Sequence, residues 1–173
     1  MKPHNLTSGI GDIVAWISQK KGVSYKKGYM FNFLMKKFED NEEVAKSFAL
    51  RLLIHYIGDL VQPFHCEARF SKENPAGDKG ANAFMIPNHY GASELHAVWD
   101  FVLYEEHNNM PRPFTSDAWT AFKEKRDGIM SKYAYAVAGS SVYKTTNYEK
   151  WATESFEIAK TLYDGKFAPF TII

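Results

Sequence analysis

Three histidines and two aspartates in the middle of the chain have the types and spacing of a metal-ligand set. His55 and Asp59 stand four residues apart, as do His96 and Asp100. On a helix that interval puts both side chains of a pair on one face, one turn apart. His65 follows two residues beyond Pro63, which stops the first helix because it lacks a backbone donor. Imidazole nitrogen and carboxylate oxygen are, beside thiolate, the ligands zinc takes, and catalytic zinc keeps one position open for water. A lone His-x-x-x-Asp pair more often marks a hydrogen-bonded histidine than a ligand. Two pairs flanking a third histidine, both beside strongly apolar helix positions, favour a shared metal. A buried imidazole next to a carboxylate needs a partner to offset desolvation, and a metal supplies it.

Helices have to position these groups. Ile10, Ile13, Val14 and Ile17 keep the spacing of an amphipathic helix that ends near Gly22. Phe31, Leu34, Met35 and Phe38 repeat the pattern, and this aromatic and Met-rich stripe reads as core. Asp40 or Asn41 is the expected cap of the next helix, with Glu43 close behind as in a capping box. Its two apolar rows, Val44–Phe48–Leu52 and Ala45–Ala49–Leu53, lead directly into His55 and Asp59. The stretch from Phe70 to Ala92, with Gly77, Gly80, Gly91, Pro75 and Pro87, reads as a long loop, which in a compact domain is usually functional or mobile. Ser93 is then expected to cap a helix whose Leu95, Val98, Trp99 and Val102 face the core while His96 and Asp100 turn to the metal side. Met110 to Pro113 is a break. Ser116 is expected to cap a helix with Trp119, Phe122 and Ile129, and a last helix from about Tyr148 holds Trp151, Ser155, Ala159 and Leu162. Strand signals are poor throughout, so the expected fold is an all-α multi-helix bundle.

The 173 residues fit one domain, and 45% hydrophobic content with 16% aromatics argues against disorder. A formal charge of +1 gives no generally basic surface for nucleic acid. It does not exclude a nuclease, because a metal cluster supplies local positive charge. The single cysteine, Cys66, cannot form an internal disulfide; it adjoins His65 and is either a ligand or, the favoured reading, a small buried core residue. No run is apolar enough to span a membrane. Met1 to Thr7 lacks the apolar stretch of a signal peptide, and Asn5-Leu6-Thr7 is a glycosylation sequon, weak support for secretion. His4, His89 and His107 read as ordinary surface or helix-end histidines, with His89 the one placed to reach a phosphate. Asp78 and Lys79 read as solvated charges, Lys79 being the one that suits a phosphate.

HYIGDLVQPFH, followed by GDKGAN and LHAVWD, resembles the zinc-dependent single-strand-specific nucleases of fungi, plants and protists, the S-one/P-one nuclease family. The family pattern is a His-[FY]-[IV]-Gly-Asp segment, Gln-Pro-Leu-His, a Gly-Gly-Asn loop and Leu-His-Ser-x-Trp-Asp. WATESFEIAKTLYDG resembles the family's Trp-Ala-x-Glu-Ser helix, so the resemblance runs from about Trp16 to Gly165. It implies a helical fold related to the bacterial zinc phospholipases C and up to three zinc ions. His65, His96 and Asp100 match the protein ligands of one zinc. His55 and Asp59 match two ligands of its pair, with Asp59 also bridging to a third ion. Asn82 matches a loop asparagine near the nucleotide.

The implied activity is metal-assisted hydrolysis of single-stranded DNA or RNA, of endonuclease and 3'-nucleotidase type, in a secreted or vacuolar protein; oligomeric state stays open. Phospholipase C-like hydrolysis and a non-catalytic domain with one structural zinc are the alternatives. Ala81 departs from the loop's second glycine, Phe64 from the usual leucine, and Glu94 from a common asparagine. The family's N-terminal tryptophan, histidine and aspartate ligands have no counterpart, so the expectation is a nuclease-like domain over residues 1–173, either N-terminally incomplete or a natural short form. Asp12 or His4 are the residues open to recruitment in their place.

Overall fold

Asn5 starts the first helix by accepting the Ser8 N–H while the Ser8 hydroxyl takes the Asn5 N–H, a reciprocal capping box. In a computed structural model of the chain, residues 5–19, 21–105, 108, 112–139 and 146–163 are described, with the side chains of 135–139 left aside. His4 and His107 lie outside them. Among the described residues the fold is all-α with one small hairpin.

Helix α1 (Leu6–Ser18) is followed by a 3-10 turn (Tyr25–Lys27) and α2 (Tyr29–Lys37). Helix α3 (Glu42–Val61) begins at Asn41, whose side chain accepts the Val44 N–H. The anticipated Glu43 half of a capping box is absent, because the third helical position is Val44. These three helices enclose one core. Ile13, Trp16, Met30, Leu34, Ala45 and Ala49 are buried, with Phe31, Met35, Phe38, Phe48, Leu52 and Leu53 packed against them. Of the two apolar rows expected on α3, the Ala45–Ala49 row is buried and Val44 at the other row's head is exposed. Two small residues let α1 and α2 approach closely there.

Pro63 ends α3 as expected and opens a 3-10 turn (Pro63–His65). A second core forms below it from Phe64, Ala81, Leu95 and Ala159, with Ile86, Trp99, Leu162 and Tyr163 around them. Helix α6 (Tyr148–Tyr163) lies against this turn and against α3, burying Ser155 and Ala159 as its periodicity foretold.

The structure corrects four expectations. Within the stretch read as loop, β1 (Met85–His89) pairs antiparallel with β2 (Ala92–Glu94); a hairpin this short leaves too little alternation to detect. Helix α4 (Leu95–Asp100) has Glu94 at its cap position without a side-chain cap bond, while Ser93 instead donates to the Glu94 carboxylate at 2.6 Å. Val102 lies past the end of α4 and is exposed, because Val102, Leu103 and Tyr104 all take left-handed φ values of 49°, 53° and 71°. Finally, α5 (Ser116–Gly139) is capped by the Thr115 hydroxyl, and its Trp119, Phe122 and Ile129 are exposed. Trp119 and Phe122 stack on each other with centroids 5.4 Å apart. Periodicity reveals an apolar stripe but not what covers it.

Candidate metal centre

The end of α3 is a place where backbone carbonyls run out of partners. Leu60, one residue after Asp59, has its carbonyl taken by the buried Ser155 hydroxyl of α6 at 2.8 Å and by Cys66 Sγ at 3.5 Å. Ser155→Ala is expected to cost about 1 kcal/mol in stability, measured by denaturant melts. A loss within error would show that Cys66 alone satisfies the carbonyl. Cys66 is half-buried, and burial pushes its thiol up, which suits the core reading over a thiolate ligand.

Anchored this way, the candidate ligand residues form a continuous row. His55 Nε2 lies 3.2 Å from Asp59 Oδ2, one helical turn on, and the other oxygen of Asp59 lies 3.3 Å from His65 Nδ1. His65 Nε2 lies 3.2 Å from His96 Nε2, which in turn lies 3.5 Å from Asp100 Oδ2. The candidate ligand atoms of His65, His96 and Asp100 all fall within 4.8 Å of one another. His55, with 68% of its side chain exposed, touches the row through Asp59.

The proton positions implied by these contacts test whether a metal fits. His96 Nδ1 lies 2.6 Å from the Gly80 carbonyl, an oxygen that only accepts, so the ring proton sits on Nδ1. His65 Nδ1 faces the Asp59 carboxylate and carries its proton by the same reasoning. With both rings neutral and protonated on Nδ1, the two Nε2 atoms face each other at 3.2 Å as lone pairs. A proton or a metal ion between them relieves that contact, and two nitrogens on one tetrahedral zinc stand about 3.3 Å apart. Each ligand histidine also has an outer partner for its second nitrogen, the usual support of a metal-binding imidazole. The donor set fits zinc.

Gln62 was not among the expected site residues. As the C-cap of α3 it accepts the Phe64 N–H, and its amide donates to Asp100 Oδ1 at 3.0 Å. It thus ties α4 to the turn that carries His65. Its place in the Gln-Pro-x-His segment, directly at a helix stop, was the available signal.

Asp12 accepts the Met30 N–H at 3.2 Å at the start of α2, a structural role that leaves it out of the ligand group. Lys79 and Asn82 are exposed on the loop, and the Asn82 amide donates to the Lys79 carbonyl at 2.7 Å. His89 packs its ring against Tyr90 and Tyr104, at 4.2 and 4.8 Å. Asp78, expected to be solvated, is only 3% exposed. Its carboxylate is enclosed by the loop's own N–H groups and by the Tyr163 hydroxyl at 2.6 Å, so the charge is satisfied without water.

Residues 13–170 match the S1/P1 nuclease family. Endonuclease 3 of Arabidopsis thaliana is 32% identical over 84 residues, 45% of this chain and 26% of that protein. Endonuclease 5 of the same plant is 31% identical over 84 residues with the same coverage. The match thus spans about a quarter of the length of these curated relatives. No solved structure matches the chain significantly. The family match takes in both His/Asp pairs, His65 and the loop that supplies the Gly80 carbonyl. This chain belongs to the S1/P1 nuclease family.

Proposed function

We propose that the chain carries the metal centre of a zinc-dependent nuclease that hydrolyses phosphodiester bonds in single-stranded DNA or RNA, of endonuclease and 3'-nucleotidase type. The observation that carries this reading is the close approach of His65 Nε2 and His96 Nε2, with Asp100 beside them, in a chain of a nuclease family. His65, His96 and Asp100 would hold one ion, and His55 with Asp59 would contribute to a second, up to the three ions of the family. A metal bound there supplies the Lewis acidity and local positive charge that hydrolysis of a phosphodiester needs.

The protein's own residues do the rest. Asp59, with one oxygen toward His55 and the other toward His65, fixes the spacing of the two ligand groups. The Gly80 carbonyl at His96 Nδ1 and Asp59 at His65 Nδ1 aim each ring with Nε2 toward the site. Gln62 steers Asp100 through its amide. Exposed Lys79 and Asn82 lie on the adjoining loop, where a phosphate or base of a single strand can be met; a duplex keeps its bases stacked and unavailable. The names of the endonuclease relatives favour nucleic acid over a phospholipid substrate. Residues 1–173 are read as one nuclease-like domain, and secretion or vacuolar targeting follows the family habit. No helix among the described residues is long and apolar enough to cross a membrane.

A structural zinc without catalysis is the second reading. It is favoured by one observation: among the described residues a single three-ligand group is gathered, and His55 is largely exposed. Counting zinc per folded chain after dialysis against a weak chelator, together with cleavage of a single-stranded oligonucleotide, separates the two. At least one tightly held ion and metal-dependent cleavage, faster on single strands than on duplex, is the expected result. Zinc without cleavage selects the structural reading. A folded chain that holds no zinc sinks both.

A further inference from the structure

The loop between the two ligand helices has a buried carboxylate at its centre. Asp78 Oδ1 accepts the Arg69 N–H at 3.0 Å, Asp78 Oδ2 accepts the Tyr163 hydroxyl at 2.6 Å, and the N–H groups of Gly80 and Ala81 also reach the carboxylate. The Asp78 carbonyl takes the Ala83 N–H at 3.0 Å. Lys79, Gly80 and Ala81 turn left-handed in succession, with φ values of 57°, 63° and 63°. Successive N–H groups in such a turn converge on one point and form a concave seat for an anion. Here the anion is the loop's own side chain.

The outer side of that turn presents the Gly80 carbonyl to His96 Nδ1. We propose that Asp78, held by Tyr163, is a positioning residue that sets the tautomer and the aim of His96, acting through the left-handed turn whose Gly80 carbonyl receives the His96 ring proton. The proposal rests on reading His65, His96 and Asp100 as a metal site.

Left-handed φ costs an ordinary L-residue free energy, so the turn needs a reason to persist. The buried carboxylate provides it, by accepting the Gly80 and Ala81 N–H groups that this turn brings to it. Burial alone would push the Asp78 carboxyl up; the Tyr163 hydroxyl and the loop N–H groups outweigh it and hold it below its usual range. Burial, and then the bonded Asp78, push the Tyr163 hydroxyl well above its ordinary value, so it stays a donor at neutral pH. Tyr163 closes α6 and its ring packs edge-on against Phe64 at 5.5 Å, beside His65. One side chain thus braces both the turn that aims His96 and the turn that carries His65.

The test compares the parent with Asp78→Asn and Tyr163→Phe, using two readouts. One is the 15N imidazole signals of His96 in the metal-free protein at neutral pH. The other is zinc affinity against a chelator of known strength. The neutral His96 ring of the parent is expected to carry its proton on Nδ1. Asp78→Asn is expected to give a mixture of tautomers and about 10–100-fold weaker zinc binding, as loss of outer partners of a ligand histidine does. Tyr163→Phe, which keeps the ring, should move both readouts in the same direction by less. Ile13→Val in the other core serves as control, lowering the melting temperature without moving the His96 signals.

If Asp78→Asn does not fold, Tyr163→Phe decides by the same two readouts. An unchanged His96 tautomer with parent-like zinc affinity in a folded variant overturns the proposal. A parent that binds no zinc defeats the metal reading instead, and the tautomer comparison still judges Asp78.

Discussion

Gly80→Ala is expected to destroy the metal site while leaving the first core folded. A Cβ built on Gly80 collides with the Phe64 carbonyl oxygen, and φ is +63°, where a side chain is strained in any case. The left-handed backbone costs an alanine about 1–2 kcal/mol, and forcing a methyl into a packed site costs about a further 1–3 kcal/mol. The contact is with backbone, so no side chain can swing aside to relieve it. The relief available is to part residue 80 from the turn Pro63–His65. That separation moves the Gly80 carbonyl from His96 Nδ1 and His65 from His96 together, since all three meet at this point. A fall in melting temperature together with a zinc affinity weaker by at least about 100-fold, both outer partners being disturbed at once, is the expected pair of results. A variant that binds zinc like the parent would show that the close approach of Gly80 to Phe64 does not govern the site.

Asp59→Asn is the change expected to act most on chemistry and least on fold. The carboxylate sits between His55 Nε2 at 3.2 Å and His65 Nδ1 at 3.3 Å, half-exposed and with no part in either core. An amide keeps the shape but loses the charge and gives one contact a donor where an acceptor stood. Nuclease activity should drop by at least about 100-fold, because even outer-sphere partners of metal ligands cost 10–100-fold when removed. The melting temperature should change little, and one zinc should stay on His65, His96 and Asp100. Equal activity of variant and parent would remove Asp59 from the mechanism. Loss of all zinc would mean that the row of five residues binds as a single unit.

The legible part of this protein is local in sequence. His55 with Asp59 and His96 with Asp100 are helix-turn neighbours, and Pro63 marks where the first helix must stop, so spacing alone brought them out. The helices α1, α3 and α6 followed from periodicity for the same reason. What escaped depends on contacts between distant segments. Asp78 looked like a solvated charge because its partners, the Arg69 N–H and the Tyr163 hydroxyl, stand 9 and 85 residues away. Gln62 acquired its role from Asp100, 38 residues on. On α5 the helix carrying Trp119, Phe122 and Ile129 was legible but the exposure of these residues was not, since amphipathicity says that a face is apolar and not that anything covers it. Ala81 shows a subtler limit. It stands where the family has glycine, and the structure does put it at φ 63°, but its methyl is fully buried in the second core. About 0.8 kcal/mol from that methyl offsets much of the strain.

The hydrogen bond from Ser155 to the Leu60 carbonyl joins residues 95 apart, and it bears on how the protein is made. A ribosome has delivered the five candidate ligands, from His55 to Asp100, before it begins α6. The nascent chain therefore carries these side chains while the helix end and the turn that hold them still lack their last partners. Possession of the ligands and possession of the site are separated in time by roughly 60 residues of synthesis, several seconds at about 5–20 residues per second. During that interval a metal ion would meet the candidate ligands before the α6 contacts that brace them exist.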